Sequence, residues 1–93
     1  MIRAFSSKET ERLFNRERVP EYVHIERVAL RRLVALNNAI LLSDLRVPPG
    51  NSLEALKGDR KGQHSIRINE QYRICFTWKE DGAHDVEITK HYD

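Results

Sequence analysis

Cysteine is almost missing from this chain. Cys75 is the only one in 93 residues, so no intrachain disulfide can form and no multi-cysteine metal site exists. Such usage fits a reducing compartment, and Cys75 itself reads as a small, buried strand residue. No apolar run approaches the length of a membrane span. The opening MIRAFSSKETERLF lacks the apolar stretch of a secretory signal. A soluble cytoplasmic protein with no membrane partner is therefore expected. His24, His64 and His84 are spread along the chain without metal-ligand spacing. Neither a glycine-rich phosphate loop nor a nucleophile elbow appears, and no metal or other cofactor is implied. Charge of one sign is scarcely in excess, with 16 Lys+Arg against 14 Asp+Glu and a net of +2. There is no repeat, low-complexity tract or linker, so residues 1–93 read as one domain.

What is present falls into a helical half and a strand half. Ile2 to Phe5 suits a short first strand. Ser6 with Glu9 fits a capping box, opening a short helix through Leu13 and Phe14 that ends near Arg16. After Pro20, the residues Ile25, Ala29, Leu33, Leu36 and Ile40 recur every three or four positions and make one helical stripe. Pro48-Pro49-Gly50-Asn51 ends the helical half. Beyond it the period becomes two. Ile66 and Ile68 oppose Ser65, Arg67 and Asn69, while Tyr72, Ile74, Phe76 and Trp78 oppose Arg73, Cys75 and Thr77. Glu80-Asp81-Gly82 suits a hairpin turn. Val86 and Ile88 then oppose Glu87, Thr89 and His91. The predicted fold is α+β: two N-terminal helices packed on one face of a small twisted antiparallel sheet.

Distribution of charge says more than its total, because a ligand meets the local potential. Lys57, Arg60 and Lys61 crowd the segment LKGDRKGQHSIRI. Parity puts Arg67, Arg73, Glu87 and His91 on the face away from the helices. Parity cannot place Lys57, because Leu53 and Leu56 disagree about which side is inner. Two readings of this face stand side by side. A sheet bearing cations, an imidazole and a carboxylate can hold a phosphodiester and move protons near it; equally, it can be a solvated face.

The pattern LEALKGDRKGQHSIRINEQYRICF, followed by DVEIT, resembles the HigB-type toxins of the RelE/ParE superfamily, also called plasmid maintenance killer proteins. MIRAF at the start, the VPPGNSLEALKGDRKG block and the final strand follow the family's order, so the resemblance covers essentially the whole chain. It implies a RelE-like fold and a ribosome-dependent mRNA endonuclease that works without metal. It also implies a helix-turn-helix, HigA-like antitoxin, with operator DNA engaged only through that antitoxin. By the same resemblance Lys57 and Arg73 match positions that stabilise the phosphate, and Arg60, Lys61, Arg67 and Lys90 fall to RNA binding. Two departures leave the proton transfers open. Glu54 stands where relatives often carry histidine, and the chain ends Lys90-His91-Tyr92-Asp93 where many relatives end Asp-Tyr-His. Glu54, His91 and Tyr92 are the candidates for base and acid. A ParE-like gyrase poison and a non-catalytic RNA-binding or antitoxin-partner module are the alternatives.

Overall fold

The computed structural model describes residues 1–90, and the expected site residues His91 and Tyr92 lie outside them. Two helices, α1 (Lys8–Phe14) and α2 (Glu26–Asn38), precede four strands. These are β1 (Glu54–Ala55), β2 (His64–Arg67), β3 (Tyr72–Lys79) and β4 (Gly82–Lys90), in the antiparallel order β1-β2-β3-β4. The expected α+β architecture is present.

Helix α1 starts one residue later than the sequence pattern suggests. Ser7, not Ser6, is its N-cap, and the Ser7 hydroxyl accepts from the Thr10 amide at 3.2 Å. Ser6 is committed elsewhere. Its amide donates to Val86 O at 3.0 Å and its hydroxyl to Asp85 O at 3.1 Å, which holds it against β4. The Ser6–Glu9 capping box therefore does not form. Thr10 then does a second job. Its hydroxyl oxygen accepts the buried Ile88 amide of β4 at 2.9 Å, a donor that points away from β3 and would otherwise be orphaned.

The first residues run beside β4 without making a full strand. Ile2 bridges Ala83 and Phe5 bridges Val86, both parallel. The ladder is interrupted where β4 bulges. Cys75 pairs with Glu87 but Thr77 pairs with His84, so Asp85 and Val86 together oppose Phe76. Asp85 absorbs the extra residue at φ 53°, as a bulge requires. The shift in parity lets Ala83, Val86 and Ile88 all reach the core, while Glu87 and Thr89 stay on the other face. Gly82 permits the close approach of the N-terminus: a Cβ there would lie 2.0 Å from Met1 O.

The stripe of α2 holds for Ile25, Ala29, Leu33 and Leu36, all buried. It fails at Ile40, which is 85% exposed. The helix ends at Asn38 because the Asp44 carboxylate takes the Ile40 and Leu41 amides, each at 2.9 Å, into a following turn. These two bonds hold the Asp44 carboxyl below the ordinary carboxylate range. On the sheet side, Ile66, Ile68, Ile74, Phe76, Val86 and Ile88 meet Leu13, Leu33, Leu36 and Leu45 in one core. Tyr72 and Trp78 are half-buried at its margins.

Candidate active site

The register of the sheet lines up its outer face. Glu54 on β1 pairs with Ser65 on β2, Ser65 with Cys75 on β3, and Cys75 with Glu87 on β4. Two residues along, Arg67 pairs with Arg73, and Arg73 with Thr89. Two guanidinium-bearing residues thus stand directly opposite each other, an arrangement that costs stability when nothing neutralises it. Among the described residues neither arginine has a carboxylate within ion-pair distance. The buried Arg73 Nε also lacks a hydrogen-bond partner among them. Unpaired cations on one face are the electrostatic complement of an anion.

The basic segment closes over one end of this face. Lys57 precedes a tight turn through Gly58–Arg60, with Gly58 at φ 64° and Gly62 at φ 95°. Leu56 N donates to Gln63 O at 2.9 Å, which returns the chain to β2. The turn and the sheet enclose an open groove of about 610 Å3, lined by Glu54, Lys57, Asp59, Arg60 and Arg73 among others. A smaller hollow of about 200 Å3 adjoins it, lined by Ser52, Glu54, Ser65 and Arg67. Glu54 is the wall common to both. The groove can seat a phosphate between Lys57 and Arg73 with a carboxylate beside it.

Not every predicted site residue enters this groove. Lys61 is exposed beyond the turn and lines neither hollow. Lys90 pairs with Tyr72, which puts it on the parity of the core face at the exposed end of β4. Arg60 lines the groove but is engaged: its Nη2 lies 2.8 Å from Glu87 Oε1 and its Nη1 donates to Gln63 Oε1 at 3.0 Å. Burial is the largest single influence and opposes its charge, but the bond to Glu87, together with the charges of Cys75 and Glu87, outweighs it, and the pKa is raised. Sequence parity placed Glu87 on this face without revealing its partner. Asp59 and Ser52 as lining residues carried no sequence signal, since both belong to irregular turns. Ser65 and Cys75, outward by parity, are nonetheless buried, because both are small and lie in the row that Arg60 crosses to reach Glu87. Among the described residues no group of three or more His, Cys, Asp or Glu is placed to hold a metal.

A family model described as the RelE-like toxin of the type II toxin-antitoxin system HigB matches residues 3–91. The chain belongs to the HigB-like toxin family. It is similar to Toxin HigB-1 of Vibrio cholerae serotype O1, with 45% identity over 67 residues, 72% of this chain and 70% of the relative. It is also similar to an uncharacterized protein of Haemophilus influenzae, with 29% identity over 68 residues, 73% and 67% of the two chains. As a HigB-like toxin of a type II system, it has an antitoxin for a partner. No helix among the described residues is long and apolar enough to cross a membrane.

Proposed function

We propose that this toxin is a ribosome-dependent mRNA endonuclease that cuts translated messages and so arrests translation. The single observation that carries the reading is the groove shared by Lys57, Arg73 and Glu54, with Arg67, which has no carboxylate partner among the described residues, facing Arg73 beside it. The ribose 2′-hydroxyl attacks the adjacent phosphorus in line. Its proton passes to a base, the P–O5′ bond breaks, and an acid protonates the leaving 5′-oxygen. The products are a 2′,3′-cyclic phosphate and a free 5′-hydroxyl.

Lys57 and Arg73 stabilise the charge that builds on the phosphorane, the role of preorganised cations in a partly desolvated site. Glu54, in the same wall, is the candidate base. His91 is the favoured acid, because an unperturbed imidazole pKa of about 6.5 suits proton donation near neutrality, and Tyr92 is the alternative. Arg67 holds the RNA backbone in the adjoining hollow, with Lys61 and Lys90 as outlying contacts. The reaction needs no metal, the toxin acts in the cytoplasm, and the neutralising partner is a HigA-like helix-turn-helix antitoxin that alone engages operator DNA.

Primer-extension mapping of a translated mRNA, with and without ribosomes and with and without a chelator, tests this. Ribosome-dependent cuts that survive chelation support the proposal. Growth arrest with DNA breaks and intact mRNA would instead favour a ParE-like gyrase poison. Neither cuts nor arrest would favour a non-catalytic RNA-binding or antitoxin-partner module.

A further inference from the structure

The turn that carries Lys57 is closed by its own backbone bonds, Leu56 N to Gln63 O and Gln63 N to Arg60 O, each at 2.9 Å, but these fix its shape and not its seat on the sheet. Strand β1 contributes only Glu54 and Ala55 to the sheet, and both are exposed. At Gly58 and Gly62 no atom of the described residues outside the adjoining chain lies within 4 Å of where a Cβ would be, so among them the turn packs on no neighbour at either glycine. Lys57 is exposed, and its ammonium makes no hydrogen bond or ion pair with the described residues. A catalytic cation placed this way needs an anchor, since a displacement of about 1 Å can cost roughly a hundredfold in rate.

Arg60 supplies one. From the turn beside the β1 edge it reaches Glu87 on β4, the far strand of the sheet, at 2.8 Å. Glu87 is the register partner of Cys75, so the bond passes over β2 and β3. The second arm of the same guanidinium holds Gln63 at 3.0 Å, and Gln63 Nε2 in turn lies 3.5 Å from Thr77 Oγ1 on β3. Both charged side chains are largely covered, at 32% and 25% exposure. A planar fork with two committed arms suits a fixed strut, which a lysine ammonium cannot replace in geometry.

Resting on the endonuclease reading, we infer that Arg60 and Glu87 are positioning residues. Their ion pair straps the Lys57 turn across the sheet and sets the Lys57–Arg73 spacing, and Arg60 does not contact RNA. The strap predicts a pattern that a phosphate contact would not produce.

Single-turnover cleavage on mRNA-programmed ribosomes is compared for Glu87→Gln, Arg60→Lys, the double variant, Arg60→Glu, and the exchanged pair Arg60→Glu with Glu87→Arg. Amide hydrogen exchange at Leu56 and Gln63 is followed on the same proteins. Each single variant should lower the saturating rate roughly tenfold to a hundredfold while leaving the half-saturating concentration unchanged. The double should be no slower than the worse single, and the exchanged pair should recover most of the loss relative to Arg60→Glu. Leu56 and Gln63 amides should exchange faster in the singles and return toward wild type in the exchanged pair. Wild-type rates for either Arg60→Lys or Glu87→Gln, or an exchanged pair no faster than Arg60→Glu alone, would overturn the strap. If the wild-type protein cleaves nothing, the endonuclease reading fails by itself. Amide exchange then decides: unchanged exchange in Glu87→Gln overturns the strap, and faster exchange upholds the tether.

Discussion

Arg67 and Arg73 face each other as direct register partners across β2 and β3, on the sheet face opposite the helices. Like charges so placed are destabilising. Arg67→Gln should therefore leave the free protein as stable as wild type or slightly more so, while weakening RNA binding. Thermal denaturation at low and high salt checks this, because screening should narrow the difference. A variant that melts well below wild type would show that Arg67 is structural.

Phe76 is fully buried where the sheet meets the helices. Phe76→Ala should cost about 3–5 kcal/mol, enough to unfold much of so small a domain. Circular dichroism during urea denaturation reads it directly. A midpoint close to wild type would contradict the core as described.

Thr10 closes the free edge of β4 by accepting the buried Ile88 amide. Thr10→Val keeps the shape and removes the acceptor, so about 1–3 kcal/mol should be lost. Thr10→Ser, which retains the hydroxyl, should lose less. A Thr10→Val protein as stable as wild type would mean that the hydrogen bond does not hold this edge.

The turn after α2 should respond to acid. Two amide bonds hold the Asp44 carboxyl below its ordinary range. A depressed pKa means that the stabilisation is fully present above the unfolded value, about 3.9. It is lost as pH falls through the lower folded value. The Ile40 and Leu41 amide signals in NMR should titrate with a midpoint below that of a free aspartate. A midpoint at or above the free value would rule out the two bonds.

Much of this was legible because burial imposes a period. The α2 stripe and the alternation through β3 follow from which side of a helix or strand faces the core, and both appear where expected. The errors fall where local bonds override the period. Ser6 lost its cap to Ser7 because β4 claims it. Ile40 left the stripe because Asp44 claims its amide. The site was partly legible for the same reason. Arg67 and Arg73 could be assigned to a face by parity, but Lys57 sits in a turn, where no period applies. The Arg60–Glu87 bond joins residues 27 apart in sequence, a pairing that becomes visible only once the sheet register is known.

The central claim is that the Lys57–Arg73 groove stabilises a phosphorane, and Arg73→Ala tests it most directly. Its half-buried side chain lies on the outer face, so folding should survive. Single-turnover cleavage on programmed ribosomes should fall by about 10²–10³-fold, with His91→Gln, Tyr92→Phe and Glu54→Gln run alongside to divide the proton transfers. A folded Arg73→Ala protein that cleaves at the wild-type rate would contradict the account.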